Sequence, residues 1–201
     1  MRLVCLDLEG VLIPEIWIAF ADAVGIPELR RTTRDEPDYD KLMRFRLDLL
    51  AKNNLKLPDI QRVISGMDVL EGAAEFTETL RKKTQLIILS DTYEEFAKPL
   101  MKKLLWPTLF CNSLVTSPGG TITGYTLRQK NGKQLAVRAL TSLNIEVFAA
   151  GDSFNDLNMI REAKTGCLFR APQAIRNECA GIPCVDSYGE LLESIDRFLA
   201  E

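Results

Sequence analysis

Short runs of consecutive apolar residues recur along the chain. The runs are LVCLDL (3–8), QLIILS (85–90), EVFAAGD (146–152), GCLF (166–169) and IPCV (182–185). Segments of helical length separate the later runs, and this alternation predicts right-handed βαβ units with a parallel sheet. Because successive positions in the runs are apolar, we expect helices on both faces of the sheet. The pattern therefore predicts an α/β fold with a Rossmann-like, doubly wound parallel sheet.

The first two runs are separated by about 75 residues, far more than a βαβ crossover needs. The separating stretch has a helical pattern, and YDKLMRFRLDLLAKNN carries apolar residues at helical spacing. We therefore predict a small helical cap, residues 14–76, inserted after the first strand. The catalytic core would comprise residues 1–13 and 77–201. Farther on, NSLVTSPGGTITGYTL predicts a hairpin around Pro-Gly-Gly, followed by a helix whose first turn contains Lys133.

Composition narrows the classes of function. A chain of 201 residues with 46% hydrophobic and 26% charged residues fits one globular core with an insertion. The net charge of −3, without a basic stripe, argues against nucleic acid as a partner. No apolar run is long enough to span a membrane, and the chain opens on a strand rather than a signal-peptide pattern. We expect a cytoplasmic protein without a membrane partner.

Histidine and cysteine restrict the chemistry further. The chain has no histidine, which excludes Ser-His-Asp hydrolysis, phosphohistidine chemistry and histidine-ligated zinc. Its five cysteines form no C-x-x-C pair, which favours reduced core thiols over disulfides or metal ligands. Catalysis must therefore rest on carboxylates, hydroxyls, lysines or a bound metal.

Polar side chains stand at the ends of three predicted strands. Asp7 and Glu9 end the first run, Ser90 and Asp91 the second, and Asp152 the third. Ligands of open α/β sheets collect at the carboxyl ends of the strands. We therefore predict one site built from three strand ends, with Ser90 and Asp91 beside the bound substrate.

The first strand end has the composition of a phosphoryl-transfer site. Asp7 can act as a nucleophile on phosphorus if a divalent cation, for which Mg²⁺ is the natural choice, screens the repulsion between two anions. Glu9, two residues farther along, can protonate the leaving alcohol and then accept a proton from the incoming nucleophile. Gly10 allows the backbone to turn sharply or a phosphate to approach.

GDSFND (151–156) repeats this composition at the third strand end. Asp152 is placed to ligate the metal, and Asp156 follows four residues later. Ser90 and Lys133 would complete a phosphate pocket through a hydroxyl and an ammonium group. Each residue also has an ordinary structural explanation, because acids and serines cap helices and lysines are usually solvated.

Arg46 falls within the apolar stripe of the predicted cap helix. An unpaired guanidinium there is costly unless it meets an anion or reaches water from the edge of the stripe. Both explanations remain open from the sequence.

These motifs resemble those of the haloacid dehalogenase superfamily over nearly the whole chain: DLEGV, a serine after LIIL, a lysine at a helix start, and GDSFND, in that order. The resemblance implies an Mg²⁺-dependent enzyme that forms an aspartyl-phosphate. The implied roles are Asp7 as nucleophile and metal ligand, Glu9 as acid-base residue and backbone metal ligand, Ser90 and Lys133 as phosphate contacts, Asp152 as metal ligand, Asp156 as support for Lys133, and Asn155 as support for the phosphate or the loop.

Within the superfamily, the length and the helical cap resemble phosphoserine phosphatases. Glu15 and Arg46 match, in order and approximate spacing, the cap glutamate and arginine that grip the amino-acid end of the substrate in those enzymes. Glu15 after Pro14 also suits the start of a helix. Glu9 departs from the usual Asp, and this variant resembles the bacterial phosphoserine:homoserine phosphotransferases.

We therefore expect a phosphatase of L-phosphoserine that also transfers the phosphoryl group to homoserine. The alternatives are a phosphatase of another small phosphorylated metabolite, such as a sugar phosphate, and a phospho-acceptor signalling module. A non-catalytic relative and a dehalogenase are disfavoured, the former by retention of all the motif residues and the latter because it needs neither the metal nor an acid at Glu9. The oligomeric state, a homodimer included, is left open.

Overall fold

The computed structural model describes residues 1–33, 35–36 and 38–201. Its strands are β1 (Arg2–Leu6), β2 (Gln85–Tyr93), β3 (Thr108–Thr116), β4 (Ile122–Thr126), β5 (Glu146–Gly151), β6 (Thr165–Phe169) and β7 (Cys184–Val185). Its helices are α1 (Ile16–Val24), α2 (Tyr39–Lys52), α3 (Leu57–Gly66), α4 (Ala73–Lys83), α5 (Glu94–Lys103), α6 (Gly132–Ser142), α7 (Leu157–Glu162), α8 (Gln173–Glu178) and α9 (Tyr188–Ala200). No helix in this part of the chain is both long and apolar enough to cross a bilayer.

The strands form a single sheet in the order β4-β3-β2-β1-β5-β6-β7. All neighbouring pairs are parallel except β3 and β4, which form the antiparallel hairpin. The predicted α/β fold with a mostly parallel sheet is confirmed, and so is the hairpin. The apolar-run pattern did not reveal the parallel strand β3, which pairs with β2 through its first half and with β4 through its second half.

Alternate residues of the central strand face two apolar clusters. Val4 and Leu6 belong to a cluster that includes buried residues of α1, α3, α4, α5 and α9. Leu3 and Cys5 belong to the other cluster, with buried residues of α6, α7 and α8. Each strand position is therefore apolar because both faces are covered, which is the arrangement expected for a doubly wound sheet.

The chain order reverses around β1, whose two neighbours are β2 and β5. At such a switch point the connections leave on opposite faces of the sheet and open a crevice beyond the strand ends. Asp7 immediately follows β1, and Asp152 immediately follows β5. β2 continues past Ser90 to Tyr93, with a register irregularity between Leu89 and Tyr93. The polar residues from all three strand ends therefore face one crevice.

The helical segment between β1 and β2 contacts the β3-β4 hairpin. The backbone N–H of Leu57, the first residue of α3, donates to the carbonyl of Gly120 at 2.9 Å. Gly120 has φ 79°, and a side chain there would lie 3.0 Å from the ring of Pro58. Asp40 of α2 accepts a hydrogen bond from the Tyr125 hydroxyl of β4. These contacts hold α2 and α3 next to the crevice.

Candidate active site

Asp7 lies in the crevice, where hydrogen bonds and an ion pair hold both its backbone and its carboxylate. Its N–H donates to the Ala150 carbonyl at 3.0 Å, which continues the ladder between β1 and β5. Its Oδ1 accepts the N–H of Leu8 at 2.7 Å and lies 2.7 Å from Lys133 Nζ. Only 5% of Asp7 is exposed. The carboxylate is therefore held in a single direction at the end of the central strand.

Lys133 links the acids of the site. It lies in the first turn of α6, as predicted, and its Nζ is 2.7 Å from both Asp7 Oδ1 and Asp156 Oδ1. Asp91 Oδ2 is farther away, at 3.8 Å. Burial lowers the pKa of Lys133, but Asp156, Asp7 and Asp91 outweigh burial and hold it well above its ordinary value. Lys133 is therefore a fixed positive charge at the strand ends.

Asp156 is fully buried and organises the loop after β5. Its Oδ2 accepts the N–H groups of Asp152 at 3.1 Å and Ser153 at 3.0 Å, and also the Ser153 hydroxyl at 2.9 Å. Gly151 makes room for it, because a Cβ there would lie 2.2 Å from Asp156 Cγ. Both oxygens of Asp156 are therefore engaged, one with Lys133 and the other with the loop after β5.

Three buried carboxylates converge in this crevice. Asp7, Asp152 and Asp156 each offer an oxygen, and these oxygens lie within 4.8 Å of one another. Burial, Asp156 and Asp152 raise the pKa of Asp7 well above its usual range, although Lys133 acts in the opposite direction. Lys133 contacts two of these acids, Asp7 and Asp156. The donor set consists of carboxylate oxygens, which hard divalent cations such as Mg²⁺ prefer, so the residues fit a metal ion.

Gly10 sets the position of Asp152. It has φ 77°, and a Cβ there would lie 2.5 Å from both Cγ and Oδ2 of Asp152. The glycine is thus required twice, once for the left-handed backbone and once for the close approach of a carboxylate.

The side chain of Glu9 is not part of the carboxylate cluster formed by Asp7, Asp152 and Asp156. Its Oε2 accepts the N–H of Ile16 at 3.0 Å, at the start of α1. Burial and the neighbouring Glu15 raise the pKa of Glu9 to about 8, while the Ile16 hydrogen bond opposes that change. A carboxyl group with such a pKa can both donate and accept a proton near neutral pH.

Arg46 is 6% exposed on α2 and lies in the same crevice. Its guanidinium carbon lies 4.4 Å from the centre of the Trp17 ring, and its Nη2 donates to the Arg31 carbonyl at 2.7 Å. Its Nε is buried and has no hydrogen-bond partner in the described residues. Burial lowers the pKa of Arg46, but such a group stays charged. A buried cation with a vacant donor suits an anionic ligand.

The predicted residues from the core and the helical segment line one cavity of about 110 Å³. Ser90 is buried there, and its Oγ accepts the N–H of Thr92 at 3.2 Å. Asp91 and Asn155 are exposed at the rim, where Asn155 Nδ2 donates to Asp91 Oδ2 at 2.9 Å. The predicted set of Asp7, Glu9, Glu15, Arg46, Ser90, Asp91, Lys133, Asp152 and Asn155 therefore lies around one space.

Sequence reasoning missed several residues of the cavity wall. Trp17, Tyr39, Thr92 and Tyr93 also line it. Tyr39 stands seven residues before Arg46 on α2, a spacing that places both on one helix face. This spacing was visible in the sequence, but tyrosine on an apolar stripe is usually a core residue.

A family model described as haloacid dehalogenase-like hydrolase matches residues 1–164. The phosphoserine phosphatase of Pseudomonas syringae pv. tomato is 51% identical over 191 residues, which cover 95% of this chain and 81% of that protein. The phosphoserine phosphatase ThrH of Pseudomonas aeruginosa is also 51% identical over 191 residues, with coverage of 95% and 93%.

Solved phosphoserine phosphatases share the fold. An apo form has a TM-score of 0.76 at 20% identity and covers 95% of this chain and 97% of its own. A phospho-aspartyl intermediate analogue has a TM-score of 0.78 at 18% identity, with coverage of 96% and 97%.

Substitution of Gly10 tests the metal site. We expect Gly10→Ala to lose about 1–2 kcal/mol of unfolding free energy, because alanine is strained at a positive φ. The added methyl group should also displace Asp152 from the metal site. Mg²⁺ is expected to raise the thermal unfolding midpoint of the unmodified protein by about 5 °C, because it binds the folded state. In Gly10→Ala, where Asp152 is displaced, the rise should be less than about 1 °C.

Gly25→Ala is the matched control, because Gly25 also has a positive φ of 69° but a Cβ there would meet nothing within 4 Å. This variant should keep the full response to Mg²⁺. An equal response in Gly10→Ala would show that the contact with Asp152 does not matter for the cation.

Proposed function

We propose that this chain, which belongs to the haloacid dehalogenase-like hydrolase family and is a phosphomonoester hydrolase, acts on L-phosphoserine with Mg²⁺ through an aspartyl-phosphate. One juxtaposition supports this most directly. The Asp7-Lys133 pair, which suits phosphoryl transfer, shares a small cavity with Glu15 and with Arg46, whose Nε lacks a hydrogen-bond partner among the described residues. Arg46 and Glu15 suit the two charges of an amino acid. The names of the relatives at 51% identity support the same substrate.

The first half of the reaction uses Asp7 and Glu9. Leu8 N–H and Lys133 hold Oδ1 of Asp7, and we assign the attack on phosphorus to Oδ2. As the new Asp7–phosphorus bond forms, the bond from phosphorus to the serine oxygen breaks. Glu9 gives its proton to that oxygen, and serine leaves as an alcohol. Its pKa of about 8 keeps the proton on Glu9 at neutral pH until this step.

The second half reverses the proton transfer. Water approaches phosphorus in line with the Asp7 bond, gives a proton to Glu9 and forms inorganic phosphate as the Asp7–phosphorus bond breaks. Lys133 and Ser90 hold the phosphoryl oxygens while the phosphoryl group passes from serine to Asp7 and from Asp7 to water. Glu9 is then protonated again and ready for the next substrate.

The metal would be held by Asp7, Asp152 and the backbone at Glu9. When bound, Mg²⁺ supplies positive charge that offsets the repulsion between the acids and the phosphate. The raised pKa of Asp7 describes the site without that charge.

The substrate's amino-acid part would lie between the helical segment and the core. In this proposal residues 14–76 form a cap, with Arg46 facing the carboxylate and Glu15 facing the ammonium group. The vacant Nε of Arg46 supports the first assignment. A cap over the cavity would limit the access of water to phospho-Asp7.

An alcohol can take the place of water in the second half. Homoserine has the same ammonium and carboxylate groups as serine and a hydroxyl one methylene farther away. Held by Arg46 and Glu15, it would direct that hydroxyl toward phospho-Asp7. Hydrolysis and transfer to homoserine would then share one phosphoenzyme.

Phosphate release from L-phosphoserine tests the function. We expect release with Mg²⁺ and none with EDTA, because the positive charge that offsets the repulsion between the acids and the phosphate is then removed. Adding homoserine should lower phosphate release and yield phosphohomoserine in a matching amount, measured by chromatography.

Each other result points to a different function. Release that homoserine leaves unchanged would mean a phosphatase without transfer. Turnover of sugar phosphates in preference to L-phosphoserine would replace the proposed substrate. A stable phosphoprotein without turnover would indicate a phospho-acceptor module and contradict the proposal.

Arg46→Ala tests recognition of the amino acid. We expect kcat/KM for L-phosphoserine to fall about a hundredfold, because a charge-assisted hydrogen bond to the carboxylate is lost. The value for p-nitrophenyl phosphate should change by less than about threefold on the same grounds.

Arg44→Ala is the matched control, since Arg44 lies on the same helix but is exposed. It should retain both activities. Equal losses on both substrates in Arg46→Ala would mean that Arg46 stabilises the fold or the phosphate site rather than the amino acid.

A further inference from the structure

Two tyrosine hydroxyls in the cavity wall have no part in the chemistry described above. Tyr39 is the first residue of α2, and Tyr93 is the last residue of β2. Their Oη atoms are 2.7 Å apart. The side chains come from two separate segments of the chain, and both line the cavity that holds Asp7 and Arg46.

Tyr39 shares a helix face with Arg46. The two residues are seven positions apart on α2, or about two turns. Burial lowers the pKa of Arg46, and of the neighbouring groups that oppose this change Tyr39 has the largest effect, which shows that the two side chains lie close together. A ligand group that reaches Arg46 therefore lies within the neighbourhood of the Tyr39 hydroxyl.

The hydrogens of the pair can be counted. Two phenols carry two hydrogens, and one of them occupies the bond between the hydroxyls. Tyr93 is 1% exposed and its ring is packed against Phe96 at 5.5 Å, so its hydroxyl is fixed. With Tyr93 as donor, the hydrogen of Tyr39 is directed to the Asp91 carbonyl, at the long distance of 3.3 Å.

The hydrogen bond from the Tyr39 hydroxyl to the Asp91 carbonyl can be given up for a bond to a ligand. The Asp91 carbonyl also accepts Asn112 Nδ2 at 3.0 Å, a shorter contact. If the Tyr39 hydrogen turns away, the carbonyl therefore keeps a partner and no buried acceptor is left unsatisfied. Tyr39 thus holds a hydroxyl hydrogen that can rotate toward a ligand at little cost.

We propose that the Tyr39 hydroxyl is a specificity-determining contact, which donates to the carboxylate of the amino-acid substrate alongside Arg46, with Tyr93 as the positioning residue that orients it. This inference rests on the proposed function, because it needs a substrate with a carboxylate. The Nε of Arg46 and the Oη of Tyr39 then donate hydrogen bonds to one carboxylate from two directions, which fixes its orientation more closely than Arg46 alone would. The same arrangement receives the carboxylate of any α-amino acid acceptor.

Tyr39→Phe, compared on two substrates, tests the assignment. O-phosphoethanolamine keeps the phosphate and the ammonium group of L-phosphoserine but lacks the carboxylate. We expect kcat/KM for L-phosphoserine to fall about ten- to hundredfold, because a hydrogen bond to a charged group is lost. The value for O-phosphoethanolamine should change by less than about twofold. Phe keeps the ring, including its edge contact with Tyr125 at 5.7 Å.

Tyr125→Phe is the matched control. Tyr125 belongs to the same aromatic group, but its hydroxyl bonds to Asp40 and it does not line the cavity. Its selectivity ratio, kcat/KM for L-phosphoserine divided by that for O-phosphoethanolamine, should equal that of the unmodified enzyme. Equal losses on both substrates in Tyr39→Phe, or no loss on either, would overturn the proposal.

Tyr93→Phe provides a second test if Tyr39→Phe does not fold. It leaves the Tyr39 hydroxyl in place without its donor, so we expect the selectivity ratio to fall by about two- to fivefold. An unchanged ratio would contradict the assigned roles. If the unmodified enzyme shows no preference for L-phosphoserine over O-phosphoethanolamine, the proposed function itself fails, which is a distinct result.

Discussion

The buried ammonium group of Lys133, placed between Asp7 and Asp156, is the interaction on which the site depends. It joins the start of α6 to the end of β1 and to the loop after β5. Breaking such a pair from one side leaves an uncompensated buried charge and costs about 3–5 kcal/mol. Because the lysine contacts both Asp7 and Asp156, it offsets part of the cost of burying these two acids. The carboxylate oxygens of the crevice form the kind of donor set that a hard divalent cation prefers.

Close packing of backbone against carboxylates sets the geometry around that lysine. Gly10 and Gly151 each stand where a side chain would collide with an acid, Asp152 and Asp156 respectively. The acids consequently lie directly against two strand-end loops, with their oxygens directed inward. This is a constraint on the backbone rather than on the catalytic side chains, and it explains why both motifs combine glycine with aspartate.

Much of this arrangement could be predicted from the sequence, because it follows from local patterns. Apolar runs ending in acids place Asp7 and Asp152 at strand ends, and helical spacing buries Arg46 on α2. The rest depends on tertiary contacts that no local pattern encodes. The hydroxyl pair of Tyr39 and Tyr93 joins residues 54 positions apart. The turn after Glu9 that fixes its carboxyl on the N–H of Ile16 is likewise visible only in three dimensions.

Covalent phosphorylation of Asp7 is the central claim, and mass spectrometry of enzyme quenched in acid during turnover of L-phosphoserine tests it most directly. We predict a phosphoryl group on the peptide that contains Asp7, formed with Mg²⁺ and absent from an Asp7→Asn variant. Phosphorylation of another residue, or continued turnover by Asp7→Asn at the unmodified rate, would contradict the account.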